Sequence, residues 1–290
     1  MRDYIIVSDS AADLSQQMVD ELDVKIIPIS FEMSGEIRND WPDEREMDNK
    51  TFYERLRAGE KATTSAINVV QYMEALELYL QEGLDVLLMA FSSGLSTTYN
   101  SARLAAEELA EKYPERTIRV VDTLCASLGQ GLLVTLAARL RALGKKLEEV
   151  CDWVEQNKLR LCHQFTVDDL HFLKRGGRVS ATTAVIGTML SIKPILHVDD
   201  EGHLIKIGTA RGRLASLKAL VDNMEKAFAG DKDQTVFISH GDCIEDARTV
   251  ADMVRERFGI EDIHFNHIGP VIGAHSGPGT VALLHLGEHR

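Results

Sequence analysis

The residues with chemistry to offer are two hydroxyl clusters, one histidine among glycines and a knot of cations. The first cluster runs Ser92-Ser93-Gly94-Leu95-Ser96-Thr97-Thr98-Tyr99-Asn100-Ser101, where seven of ten side chains carry hydroxyls. It follows the apolar run Val86–Ala90, read as a buried strand ending near Phe91, and it precedes Ala102, Ala105, Ala106 and Leu109 at helical spacing. A strand–loop–helix junction of this kind points free N–H groups and the positive helix end at one spot, which suits an anion. A Ser/Thr turn with its cap is the plainer reading. No lysine follows Gly94, so this is not a P-loop. The second cluster, Thr63-Thr64-Ser65, precedes a helix marked by Val69, Val70, Met73, Leu76 and Leu80, and capping is again the plain alternative. On successive helix starts with one strand between them, the two clusters are expected to converge above one sheet edge, where open parallel α/β sheets bind ligands.

The histidine is His275, in Ile272-Gly273-Ala274-His275-Ser276-Gly277-Pro278-Gly279, where glycines permit close backbone approach. Ser93 or Ser96 as nucleophile with His275 as base would make a lipid or acyl-ester hydrolase. Against that alternative, the sequence has no G-x-S-x-G elbow there and no acid clearly placed to orient His275. A kinase acting alone is argued against by the lack of a Walker A or protein-kinase signature. His264 and His267, three apart, point to opposite faces of a strand, so no metal site is expected.

The charge distribution is uneven. The net charge of −13 speaks against nucleic acid, yet Leu170–Lys218 carries eight Lys/Arg and three acids, so that this segment is +5 and the remainder −18. Arg178, Lys193, Arg211 and Arg213 belong to it, and a local basic field favours a small anion or phosphate. Ordinary salt bridges to the acidic remainder are the alternative use of these cations.

Positioning these groups calls for an α/β fold. At 290 residues, 44% hydrophobic and 27% charged, the chain fits one large or two intimate α/β domains, with a soft boundary near Arg160 that gives domains 1–160 and 161–290. Strands are expected at Tyr4–Val7, Val24–Ser30 (with Pro28 at an edge or bulge), Thr117–Asp122, Leu190–Leu196, Leu204–Ile207 and Thr235–Ser239. Helices are expected after Ser8–Leu14, around Phe52 and Leu56, through Leu132–Leu140 (buried), over Leu147–Leu161 and around Leu217–Met224. Phe31–Asn49 reads as a surface excursion, and Asp199–Gly202 as a hairpin turn. No run approaches a membrane span, the N-terminus reads as a strand rather than a signal, and the four cysteines show no metal spacing. A cytoplasmic location with reduced thiols is expected, with no cofactor.

In this order Val7-Ser8-Asp9-Ser10, Ala12-Asp13-Leu14, Thr63-Thr64-Ser65, Ser92-Ser93-Gly94-Leu95-Ser96, Asp168–Ser180, Ile192-Lys193-Pro194 and Ile272–Thr280 resemble the DegV family of bacterial fatty-acid-binding proteins. The resemblance spans nearly the whole chain. It implies two intimate α/β domains with a ligand tunnel at their junction, holding one long-chain fatty acid that is presented to a separate fatty acid kinase. It further implies that Thr64 and Ser96, with Ser93, His275 and Arg178 nearby, meet the carboxylate, while Arg211, Arg213 and Lys193 face the phosphate or the kinase. The chain would then be a lipid-binding protein rather than an enzyme, without an integral membrane segment and with transient membrane contact left open. Two departures stand out: Thr97 replaces a frequent glycine, and Ala66-Ile67 replace the usual Gln-Pro. Physically the reading is coherent, because a dozen buried methylenes give roughly 10 kcal/mol gross and the hydroxyls and imidazole replace the water lost by a carboxylate.

Overall fold

A computed structural model describes residues 3–179 and 191–290. Ser180 and Leu190, the ends of two of the motifs above, lie outside the described residues.

The first apolar run forms β1 (Tyr4–Asp9), and the chain then makes one 3-10 turn and α1 (Gln16–Leu22). Asp9 accepts the Ala11 N–H and Ser15 accepts the Met18 N–H, so the Ser/Asp-rich stretch supplies both caps. β2 (Lys25–Ile27) pairs in parallel with β1 and ends before Pro28. Here the structure corrects the single strand expected from Val24 to Ser30, since Pro28 offers no ladder N–H. β3 (Ser30–Met33) and β4 (Glu36–Asn39) form an antiparallel hairpin within the segment read as a surface excursion, with Phe31 and Met33 buried. Glu32 and the exposed Ile37 share the outer face, while Glu36 and the half-buried Arg38 lie opposite Met33 and Phe31, so the placing of charges masks that alternation. α2 (Asn49–Arg57) leads to β5 (Ala62–Ser65), which pairs with β3, so the second hydroxyl cluster is a strand and not a helix cap. The cap of α3 (Val69–Gln81) is Asn68, in a reciprocal box with Gln71.

β6 (Asp85–Ala90), α4 (Thr98–Lys112) and β7 (Ile118–Asp122) complete a parallel sheet of order β2-β1-β6-β7. α5 (Leu128–Ala142) is buried as its sequence requires. α6 (Leu147–Asn157) stops short of the expected Leu161, which instead opens β8 (Leu161–Thr166). There follow α7 (His171–Arg175), β9 (Ile192–Val198), β10 (Leu204–Arg211), α8 (Arg213–Ala227), β11 (Val236–His240), α9 (Ile244–Phe258), β12 (Ile263–His267), α10 (Pro270–Ser276) and β13 (Val281–Leu286). The strands form a six-stranded mixed sheet of order β10-β9-β8-β13-β11-β12. β9 and β10 are the expected hairpin about Asp199–Gly202. The two large sheets share one core: Ile6, Leu87 and Met89 of the first join Leu132 and Leu133 of α5 and Phe165, Leu196 and Leu284 of the second.

Candidate ligand cavity

Above the C-terminal ends of the parallel strands lies a cavity of about 770 Å³, a volume suited to a small-molecule ligand. One face of the mixed sheet contributes His163, Phe165, Ala282, Leu284 and Val198. Phe165 lies opposite Ala282 and His163 opposite Leu284 in the β8–β13 ladder, so strand alternation delivers a common face. The other walls are Phe91 and Leu95 after β6, Ala126 and Ser127 after β7, and Ile268, Val271 and Ile272 around the start of α10.

Polar groups gather where β5, the loop after β6 and α10 meet. Thr64, Ser93, Ser96, Arg178 and His275 all line the cavity, so the structure brings both hydroxyl clusters to one place. Thr64 Oγ1 lies 2.8 Å from His275 Nε2. Burial, helped by the charges of Arg178 and Arg175, pulls His275 down to about 4, so the ring is neutral at pH 7. In the tautomer with a proton on Nε2, the ring donates to Thr64 and frees the Thr64 hydroxyl proton for a ligand. Gly176 makes this fit possible: a Cβ there would sit 2.2 Å from His275 Nδ1.

Ser96 Oγ lies 2.8 Å from Thr98 Oγ1 and accepts the Thr98 N–H at 3.2 Å, so it caps α4 from one residue before Thr97, which makes no side-chain cap. Ser93 is exposed, and its N–H donates to Asp122 Oδ1 at 3.1 Å. The loop is pinned to the β9–β10 hairpin: Ser92 Oγ donates to the Gly202 carbonyl at 2.9 Å, and a Cβ on Gly94 would lie 2.7 Å from the Glu201 carbonyl.

Arg178 is half-buried, and burial lowers its pKa. It donates from Nε to the Leu95 carbonyl at 3.3 Å and from Nη1 to the Gly176 carbonyl. Among the described residues no carboxylate pairs with it. A guanidinium withdrawn from water beside hydroxyls, without a counter-charge, is a ready anion site.

Arg211, Arg213 and Lys193 do not line the cavity. Lys193 Nζ pairs with Asp168 at 2.7 Å, and Arg213 pairs with Asp246 at 2.8 Å while donating to the Gly279 carbonyl at 2.6 Å. Arg211 is exposed and has no acidic partner among the described residues. No carboxylate touches His275 among those residues either, and neither Ser93 nor Ser96 is bonded to it, so a nucleophile–base–acid relay is not assembled. No group of three or more His, Cys, Asp or Glu among them could hold a metal ion.

Sequence reasoning did not single out Ser127, His163 or Asn100, which also line the cavity. Ser127 has φ 54° and ψ −149°, a costly backbone for a residue with a side chain. Nothing in its local sequence announces that conformation.

The model of the family described as "Uncharacterised protein, DegV family" matches residues 4–288. A DegV domain-containing protein of Clostridium perfringens is 48% identical over 99% of both chains, and one of Streptococcus pyogenes is 37% identical over 99% of both. Among solved structures, a DegV family protein of Thermus thermophilus, described for its fatty acid binding, superposes with a TM-score of 0.89 at 31% identity over 99% of this chain and 100% of that one. A Thermotoga maritima protein, described as revealing a fatty acid binding function, gives 0.86 at 29% identity over 99% and 100%.

Proposed function

The chain belongs to the DegV family, and we propose that it binds one long-chain free fatty acid in the cavity and presents the carboxylate to a separate fatty acid kinase. The observation that carries this reading is Arg178, a half-buried cation with no acid partner among the described residues, set beside Thr64, Ser96, Ser93 and His275 in a cavity whose lining is mostly apolar. A carboxylate supplies the missing charge, and an acyl chain suits Phe165, Leu284, Val198 and Val271. Chain burial, at about 0.8 kcal/mol per methylene, sets most of the affinity, and the polar groups set the direction in which the acid lies.

On this reading residues 1–160 and 161–290 act as two domains that enclose the ligand, and the protein is cytoplasmic and carries out no chemistry itself. No helix among the described residues is long and apolar enough to cross a membrane. The kinase transfers a phosphoryl group from ATP to the carboxylate oxygen and releases ADP. The exposure of Ser93, Thr97 and Asn100 supports a carboxylate end within reach of a docked protein. Of the three cations outside the cavity named above, Arg211, exposed and without an acidic partner among the described residues, is the freest to meet the incoming phosphates, whereas Lys193 and Arg213 are already engaged by acids.

Native mass spectrometry of protein purified from cells tests the ligand class, with a co-purified mass equal to one fatty acid expected. Delipidated protein that takes up no palmitate in a calorimetric titration would overturn the reading.

A further inference from the structure

The stretch Ser8–Leu14 has no part in holding a ligand head group, yet its polar side chains secure the walls of the cavity. Ser10 Oγ accepts the Ile29 N–H at 3.0 Å, and Asp9 Oδ2 accepts the Phe91 N–H at 2.8 Å. Asp13 reaches furthest: Oδ1 accepts the Gly269 N–H at 3.0 Å, and Oδ2 accepts the Ser127 hydroxyl proton. Ile29, Phe91 and Ser127 line the cavity, and Gly269 is the residue before α10, which carries His275. Asp13 is held in turn by Asn266, whose Nδ2 donates to its carbonyl at 2.7 Å.

α10 receives no cap from its own leading residue, a glycine. Two buried carboxyls take that place. Asp40 Oδ2 accepts the Val271 N–H at 3.4 Å, and a Cβ added to Gly269 would lie 2.9 Å from Asp40 Oδ2 and 3.0 Å from Asp13 Oδ1. Ser127, with its positive φ, is gripped between Asp13 and Ser239, whose Oγ lies 2.9 Å from its own. One carboxyl therefore touches both the turn after β7 and the helix that carries the imidazole.

We propose that Asp13, backed by Asp40, is the positioning residue of the ligand site: it anchors the start of α10, so that His275 meets Thr64, and fixes Ser127 in the cavity wall. The ligand readout of this proposal rests on the fatty-acid reading; the placement of His275 does not.

Asp13→Asn keeps the side-chain volume but turns one acceptor into a donor. Gly269→Ala disturbs the same contact from the helix side, and Asp40→Asn disturbs its neighbour. Asp85→Asn is the control, since Asp85 is equally buried and accepts the Thr117 N–H away from the cavity. Each protein is examined for palmitate affinity, for melting temperature and for the His275 imidazole resonance without ligand, assigned by its loss in His275→Gln. Asp13→Asn and Gly269→Ala should weaken palmitate binding about tenfold at equal folded fraction and move the His275 resonance, whereas Asp85→Asn should lower melting alone. The proposal is overturned if Asp13→Asn and Gly269→Ala behave as Asp85→Asn does, with affinity within about twofold of the parent and an unmoved resonance. If Asp13→Asn does not fold, Gly269→Ala and Asp40→Asn decide by the same criteria. If the parent binds no palmitate, the fatty-acid reading fails, and the His275 resonance of ligand-free protein still decides the positioning role.

Discussion

His275 Nε2 and Thr64 Oγ1 stand 2.8 Å apart, joined across 211 residues of chain. The contact ties α10 to β5, and each partner limits what the other can do. A neutral ring can orient the Thr64 hydroxyl without adding charge, so Arg178 is left as the cation of the site.

Thr64→Val keeps the shape of β5 and deletes only the hydroxyl. A hydrogen bond to a charged acceptor is worth about 1.5–3 kcal/mol, so fatty-acid affinity should fall about tenfold or more. Calorimetric titration with palmitate checks this, alongside a melting curve expected to move little. An unchanged affinity would remove Thr64 from the head-group site.

Ser96→Ala has a mixed outcome, because Ser96 Oγ also receives the Thr98 N–H at the start of α4. Loss of that cap should cost about 1 kcal/mol of stability, with a further loss of affinity from the missing donor. The two effects separate when urea unfolding is followed without ligand and palmitate binding is measured on folded protein. A variant less stable but equally tight-binding would make Ser96 a cap only.

His285 supplies a pH prediction. It is buried in β13, and among the described residues neither ring nitrogen has a hydrogen-bond partner. Burial pulls it from 6.5 down to about 4. Between those values the unfolded chain binds a proton that the folded one refuses, so its contribution to stability is lost as pH falls from about 6.5 towards 4. Burial pushes Asp9 up to about 6 and Asp13 up to about 7. Those shifts act in the opposite sense, and they cancel when a variant is compared with its parent. His285→Leu should therefore be the more stable protein, and its lead should widen between pH 7 and pH 5 by at most about 1.4 kcal/mol per unit. Urea midpoints at the two pH values measure the gap; a gap that stays constant would contradict the titration account.

The sites were legible in the sequence where residue type alone carried the signal. Hydroxyls at 63–65 and 92–98 and the glycine-flanked His275 are recognisable as a set, and the structure brings Thr64, Ser65, Ser93, Ser96, Thr97 and His275 to one cavity, whereas Thr63, Ser92 and Thr98 do not line it. The path of the backbone was less legible. Thr63–Ser65 reads as a cap because a helix follows, but the partner that makes them a strand is β3, hidden in a charged segment without evident pattern. Helix α6 carried its apolar spacing on towards Leu161, and only pairing with β13 reveals that Leu161 is already sheet. In the sequence Asp13 stands out only as part of the Ser8–Leu14 stretch before a helix and of the Ala12-Asp13-Leu14 motif, since its partners Ser127 and Gly269 lie 114 and 256 residues away. The basic segment read as one field, whereas Asp168 and Asp246 divide it into paired and unpaired cations.

On the proposed function, that division separates holding the acid from passing it on. Arg178 bonds the Leu95 and Gly176 carbonyls and so braces the loop bearing Ser93 and Ser96, beside the proposed carboxylate position. Arg178→Ala should therefore weaken palmitate binding and lower acyl-phosphate formation together. Arg211 stands outside the cavity, exposed at the end of β10 with no acid partner among the described residues. It has nothing to give a buried carboxylate but can meet phosphates arriving with a docked kinase. Arg211→Ala should leave palmitate affinity within about twofold of the parent and reduce kinase-dependent turnover about tenfold or more, since a charged contact made only during transfer acts on that step alone. Arg213→Ala would instead leave Asp246 without its guanidinium and the Gly279 carbonyl without its donor, so its first effect should be on stability. Palmitate titration, melting and a coupled assay with the partner kinase on all three variants resolve the roles. Turnover by Arg211→Ala at the parent rate, with stability matched, would move the transfer surface away from the end of β10.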